Sequence, residues 1–333
     1  MSTPPLTDAH GRGVSYMRLS VTDRCNLNCF YCRSKDMKLL RHQDILTYEE
    51  LLVLARIARD MRVEKLRLTG GEPFARLDFL DFLAMLRREC PDMDLRMTTN
   101  ATLLGGKAAR LRELGVTRLN VSLDTLDPAK FQEITGRDAY ADVRAALSEC
   151  RAEGLKLKLN AVAMKGVNDM ELPAFLDLAR ELDMDVRFIE FMPVGGHTRW
   201  DQDLVWSSED IVAEARKHLD LAPVEALEKN HGPARIFALP GGRGRLGVIS
   251  ALSNHFCRTC NRLRITSDGR LRTCLFSDKE YRLRALLRHP KLGEDAVRTV
   301  LRRATMAKPL GYELLKARRA AAVCGRGMSA IGG

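Results

Sequence analysis

Six short apolar runs recur along the first 192 residues: YMRLSV, KLRLTG, LRMTTN, RLNVSLD, KLKLNAVAM and VRFIEFM. Between them lie segments with helical spacing of apolar positions, such as TYEELLVLARIARDM and ELPAFLDLARELD. The short runs predict strands and the longer periodic segments predict helices. Strands joined through helices run parallel, and a parallel sheet has both faces covered. The pattern to residue 192 therefore predicts a (β/α)6 array, doubly wound or curled towards a barrel.

Residues two apart on a strand share a face of the sheet. One face of the six strands is apolar throughout, while the other carries Arg18 and Ser20, Lys65, Arg67 and Thr69, Arg96, Thr98 and Asn100, Asn120, Ser122 and Asp124, Lys156, Lys158 and Asn160, and Asp185 and Arg187. A closed eight-stranded barrel is packed inside with branched apolar side chains. A polar, cationic inner face predicts instead an incomplete barrel whose lumen takes an anionic ligand and water.

After Gly195-Gly196 the pattern changes. A helix is predicted at SSEDIVAEARKHL, strands at RIFALPG and RLGVISALS, and a hairpin over residues 262–276 around Asp268-Gly269, a favoured two-residue turn. Two helices and a glycine-rich tail follow, with the barrel taken to end before this region. The expected division is a partial barrel at 1–215 and an α+β extension at 216–333.

The chain has 333 residues, 45% of them hydrophobic, enough for a substantial core. No stretch approaches the roughly 20 apolar residues of a membrane span, and the first residues lack an export signal. A cytoplasmic protein is expected. The net charge of +11 would suit nucleic acid, but the arginines of the last quarter (Arg282, Arg284, Arg288, Arg302, Arg303, Arg318, Arg319) carry no interleaved aromatics and read as solvated helix faces. Neither a nucleic-acid nor a membrane partner is expected.

Six of the nine cysteines form two triplets, Cys25/Cys29/Cys32 and Cys257/Cys260/Cys274. Clustering at ligand spacings without an export signal argues for metal binding in a reducing compartment. A [4Fe-4S] cluster normally takes four cysteine ligands, so three leave one iron open to another molecule. A zinc site remains the alternative for each triplet, completed by His42 at the first or by His255 or Cys324 at the second. Cys90, Cys150 and Cys324 read as small buried hydrophobes.

The C-x3-C-x2-C spacing of DRCNLNCFYC, with Tyr31 before its last cysteine, resembles the radical S-adenosylmethionine (SAM) superfamily. Gly70-Gly71-Glu72-Pro73, one βα unit later, is similar to that superfamily's GGEP element. The second triplet and the segments RLSVTDRCN, RLTGGEP, NVSLD, RFIEFMPVG and Ile331-Gly332-Gly333 narrow the resemblance to the GTP 3′,8-cyclase family of molybdenum-cofactor enzymes.

The resemblance implies that Cys25, Cys29 and Cys32 hold a [4Fe-4S] cluster chelated by SAM, with Tyr31, Gly71, Ser122 and Met192 contacting SAM. It implies that the glycines of GGEP let the backbone approach SAM, with Glu72 adding negative charge nearby. It further implies a second cluster on Cys257, Cys260 and Cys274 that meets the guanine of GTP, and phosphate contacts from Arg18, Arg67, Lys158, Arg262 and Arg264 with Thr98 as a neutral partner. Arg187 and Lys65 share that face. The implied reaction is cyclisation of GTP to 3′,8-cyclo-7,8-dihydro-GTP, begun by a SAM-derived radical, with the Gly-Gly tail entering the site. The implied partners are an electron donor and a downstream molybdopterin-pathway enzyme, with a homodimer left open. The family's TTNG stands here as Thr98-Thr99-Asn100-Ala101, and its CMP as Cys32-Arg33-Ser34. Ala101 leads us to expect a loop without positive φ at that position. Another radical SAM enzyme with auxiliary clusters, and a zinc-stabilised nucleic-acid-binding protein, are the competing classes.

Overall fold

The computed structural model describes residues 4–33, 37–116, 118–195, 200–224, 232–241, 243–317 and 324–332. All six expected strands form: β1 (Tyr16–Ser20), β2 (Lys65–Thr69), β3 (Asp94–Thr99), β4 (Arg118–Ser122), β5 (Lys156–Ala163) and β6 (Asp185–Glu190). They lie side by side in chain order and run parallel. Helices α1 (Tyr48–Asp60), α2 (Phe79–Glu89), α3 (Ala108–Glu113), α4 (Pro128–Thr135), α5 (Tyr140–Ala152) and α6 (Leu172–Leu182) connect them.

Helix starts follow local chemistry. Thr47 and Glu50 form a reciprocal capping box on α1, and Asp127 caps α4 with Pro128 in its first turn. The outer face of the sheet packs Met17, Leu19, Leu66, Leu68, Met97, Leu119, Val121, Leu159, Val186 and Phe188 against the helices' apolar stripes, all fully buried or nearly so. This leaves the polar face inward, as the alternation predicts.

The C-terminal region departs from expectation. It does not stand apart from the barrel but extends its sheet at both edges. Helix α7 (Ser208–His218) matches the predicted segment and contains residue 215. Beyond it come β7 (Ala222–Val224), β8 (Arg235–Ala238), β9 (Arg245–Ile249), β10 (Arg262–Ile265), β11 (Arg270–Arg272) and β12 (Tyr281–Arg282). Strand β9 pairs parallel with β6, and β10 pairs parallel with β1. Eight strands are therefore parallel, with antiparallel strands beyond each end, in the order β12-β11-β10-β1-β2-β3-β4-β5-β6-β9-β8-β7. No pairing joins the two ends among the described residues, so the curled sheet is open. Periodicity identifies strands but not their remote partners, and an unpaired edge accepts any strand of suitable register.

The predicted hairpin at Asp268-Gly269 is present, with Arg264 opposite Arg272. Two short strands, β7 and β12, escaped detection, and three helices follow where two were expected: α8 (Leu283–Leu287), α9 (Gly293–Met306) and α10 (Gly311–Ala317). Arg284, Arg288 and Arg298 pair with Asp44, Glu50 and Asp60, clamping α8 and α9 onto the α1 region. These cations serve packing. Arg318 and Arg319 lie outside the described residues. No described helix is long and apolar enough to cross a membrane.

Candidate active site

The first cysteine triplet lies in the loop after β1, at the carboxyl end of the sheet. Its backbone is tied to the end of α4 by Asn28 N donating to Thr135 O at 2.8 Å and Phe30 N to Ile134 O at 3.1 Å. In the second triplet, Cys257 and Cys260 flank a tight turn before β10, and the β10–β11 hairpin carries Cys274 back towards them. All six side chains line one cavity of about 290 Å³, together with Gly71, Thr98, Ser122, Met192, Arg262 and Arg264. The structure thus brings the two remote triplets onto one space.

The donor set fits iron–sulfur clusters. All six thiols are free of disulfides. Burial, then Asp124 and the neighbouring thiols, push Cys29 well up, and burial with Cys25 pushes Cys32 up to about 12. Thiols raised in this way stay protonated by themselves, and a metal cation among them would draw them to thiolate. Cys25, Cys257 and Cys274 are likewise raised by burial. Cys260 is the exception: burial would raise it, but Arg262 and Lys308 outweigh that and bring it down to about 6. A Cβ on Gly311 would lie 2.9 Å from Cys274 Sγ and 3.5 Å from Cys257 Sγ, so only glycine leaves those sulfurs room.

The two candidate fourth ligands for zinc at the second triplet are engaged elsewhere. Cys324 is buried and accepts from Arg272 Nη2 at 2.8 Å, and His255 Nδ1 lies 2.9 Å from Ala251 O. Among the described residues no three His, Cys, Asp or Glu side chains converge on a single metal-ion position. Cys90 and Cys150 are buried, as expected.

Gly71 is also required by packing within the protein. A Cβ there would come 2.2 Å from Arg24 O, because this loop packs on the cysteine loop through Gly71 N to Thr22 O and Glu72 N to Arg24 O, each 2.8 Å. Glu72 does not line the cavity, although its charge is felt at Cys25, which does. It is wholly buried, accepts from Thr99 Oγ1 at 2.8 Å and Asn100 N at 2.7 Å, and burial raises it to about 7. It braces the loop after β3. Ala101 also corrects the sequence reading, adopting φ 64° despite its side chain. The turn is held by Ala101 N donating to Thr99 Oγ1 at 2.9 Å and Thr102 N to Asn100 Oδ1 at 3.0 Å.

Tyr31 points at Asp124, donating from its hydroxyl to Oδ2 at 2.5 Å, and burial raises Asp124 to about 6. Asp124, on the inner face by alternation, lines the cluster cavity.

Next to the cluster cavity lies a larger one of about 1410 Å³, lined by Arg18, Lys65, Arg67, Arg96, Lys158, Arg187, Arg262 and others. Strand register explains its charge: Arg264, Arg18, Arg67 and Arg96 stand in one row across β10, β1, β2 and β3. A second row runs Arg262, Tyr16, Lys65. Tyr16, unremarked in the sequence, is brought down to about 7: burial would raise it, but Arg18 and Arg67 beside it prevail. Burial and the surrounding arginines lower Arg67 to about 10. Arg67 Nη1 lies 3.4 Å from Thr98 Oγ1, while the buried Nε atoms of Arg67 and Arg187 meet no acceptor among the described residues. Orphaned guanidinium donors in a cationic hollow suit a polyanion.

The tail reaches this row. Arg326 Nη1 and Nη2 bind Asp268 at 3.2 and 3.1 Å, Ile331 is buried, and Gly332 O accepts from Arg264 Nη1 at 2.6 Å. Gly332 has φ 71°, and a Cβ there would lie 2.7 Å from Thr69 Oγ1. Gly333 lies outside the described residues.

Residues 19–179 match the family model described as Radical SAM superfamily, and residues 184–314 match Molybdenum Cofactor Synthesis C. The crystal structure of Streptococcus suis SuiB bound to S-adenosylmethionine shares the fold, with a TM-score of 0.62 at 15% identity over 96% of this chain and 78% of that chain. The GTP 3′,8-cyclase of Alkaliphilus oremlandii is 39% identical over 98% of this chain and 100% of its own length. That of Thermodesulfovibrio yellowstonii is 41% identical over 89% and 92%, and that of Marinobacter nauticus 42% over 91% and 92%. With likeness of this degree running nearly end to end, and two cysteine triplets lining one cavity, the chain belongs to the GTP 3′,8-cyclase family of radical SAM proteins.

Proposed function

We propose that this chain cyclises GTP to 3′,8-cyclo-7,8-dihydro-GTP, an early step in assembling the molybdenum cofactor. The observation that carries this reading is the shared space: both cysteine triplets line one cavity, and Arg18, Arg262 and Asn160 line both it and the cationic lumen beside it. Cys25, Cys29 and Cys32 hold one [4Fe-4S] cluster with SAM, and Cys257, Cys260 and Cys274 hold the other. When bound, these groups supply one-electron chemistry that amino-acid side chains lack.

The chain's own residues bind, orient and shield. Tyr31, Gly71, Ser122 and Met192 line the cluster cavity, and in this reading they contact SAM. Arg18, Arg67, Lys158, Arg262 and Arg264, with Thr98, take the nucleotide, and guanidinium forks suit phosphate oxygens because each donates two parallel hydrogen bonds. The Gly332 carbonyl, held by Arg264 and near Arg18, brings the tail against the arginine row.

In this reading residues 1–215 carry the SAM side and 216–333 the substrate cluster and tail. The reading extends to an external electron donor, a downstream enzyme that takes the product, and a cytoplasmic location consistent with nine free cysteines. The test is anaerobic incubation of cluster-loaded protein with SAM, a reductant and each ribonucleoside triphosphate in turn. Cyclised product from GTP alone is expected. Equal product from every nucleotide, or none from GTP while SAM is cleaved, overturns the assignment.

A further inference from the structure

One wall of the lumen contains a carboxylate. Asp185 on β6 is buried, yet three cations reach it: Lys158 Nζ at 2.8 Å, Arg187 Nη2 at 3.4 Å, and Arg245 through Nε at 2.7 Å and Nη2 at 3.2 Å. Register sets this up, since Asn120, Lys158, Asp185 and Arg245 stand in one row across β4, β5, β6 and β9. Gly247 stands opposite Arg187 in the next row, where a Cβ would lie 2.8 Å from Arg187 Cγ. A larger residue there would displace the arginine.

The three contacts differ in kind. Arg245 grips both carboxylate oxygens and its side chain is 44% exposed, so it can remain as a permanent partner. Lys158 and Arg187 each make one contact, are largely buried, and line the lumen; Arg187 also has a buried Nε without an acceptor among the described residues. These two are free to turn towards a ligand.

We propose that Asp185 is a positioning residue of the nucleotide's phosphate site, the resident anion that gathers Lys158 and Arg187 onto one wall and keeps the Lys158 ammonium charged until a polyphosphate replaces it. The inference rests on the proposed function for the identity of the ligand. The charges facing Lys158 are Asp185 and Arg187 from β6 and Arg245 from β9, while Asn120 from β4 is neutral and Arg96 from β3 acts on Arg187. Burial, Arg187 and Arg245 lower Lys158 to about 8, and Asp185 is what opposes them. Without the carboxylate, the ammonium would lose its proton nearer neutrality.

The test measures GTP binding to the cluster-loaded protein by anaerobic calorimetry from mildly acidic to alkaline pH, with inorganic triphosphate as a second probe. Wild type should lose affinity as pH rises through about 8, and Lys158→Met should lack that step. In Asp185→Asn the step should move down by about one pH unit or more. Asp185→Glu should restore it. Comparing variants cancels the titration of the ligand itself. An unmoved step in Asp185→Asn, or an equal loss of affinity at every pH, overturns the proposal. Triphosphate binding with the expected shift but no GTP binding would retain Asp185's role and refute the nucleotide reading instead.

Discussion

Arg18 and Arg264 face each other on parallel strands and both turn to the carbonyl of Gly332, with Nη1 atoms at 3.4 and 2.6 Å. One pair of guanidinium groups thus serves the tail and borders the cluster cavity. Arg264→Ala should raise the KM for GTP by about tenfold or more, the worth of one or two charge-assisted hydrogen bonds. Iron content should not change. Steady-state kinetics with iron analysis checks this, and an unaltered KM would remove Arg264 from the substrate site.

Cys29→Ser should abolish SAM cleavage, because two thiolates cannot hold the first cluster. The second triplet is untouched, so iron should fall from about eight atoms per chain to about four. Sustained formation of 5′-deoxyadenosine by this variant would contradict the ligand assignment.

Gly71→Ala forces a Cβ into the Arg24 carbonyl, which lies 2.2 Å from its ideal position. The two loops must part. SAM affinity should drop by an order of magnitude or more while the second cluster stays intact, since this backbone packing has no flexible side chain to yield. Equilibrium binding of SAM to the anaerobic protein gives the answer.

Glu72 is held in the fold at about 7, above its ordinary 4.5, by burial. A carboxyl raised in the folded state contributes stability that is complete below about 4.5 and is lost as pH climbs through about 7. The change is on the order of 3 kcal/mol. Glu72→Gln should flatten that part of the pH dependence, even if replacing an acceptor oxygen with an amide shifts stability at all pH values. Anaerobic urea unfolding at pH 5 and pH 8 reads the slope, and an identical slope in both proteins would show that Glu72 does not titrate in this window.

Much of the site was legible because its signals are local. Cysteine spacing, the GGEP run and strand alternation each lie within a few residues, and Arg18 and Arg67 fall on the inner face through alternation alone. What escaped depends on the third dimension. The β10 partnership with β1 is a remote pairing that no period records, and Tyr16 and Asp185 matter only through neighbours brought by register. The bracing role of Glu72 was not legible, because spacing does not tell which loop a carboxylate will bind. Ala101 was misjudged because side-chain sterics disfavour positive φ by about 1–2 kcal/mol, a cost that turn hydrogen bonds can outweigh.

The annexation of both sheet edges by the last third of the chain has a cost during synthesis. Strand β1 is made early, but its outer neighbour β10 comes far later; Ser15 and Asn261, whose side chains meet beside this seam, are 246 residues apart. Until the ribosome releases that segment, a nascent six-strand sheet shows raw hydrogen-bonding groups along its flanks. Closing that late, long-range seam should therefore slow folding relative to a sheet whose strands pair with their sequence neighbours.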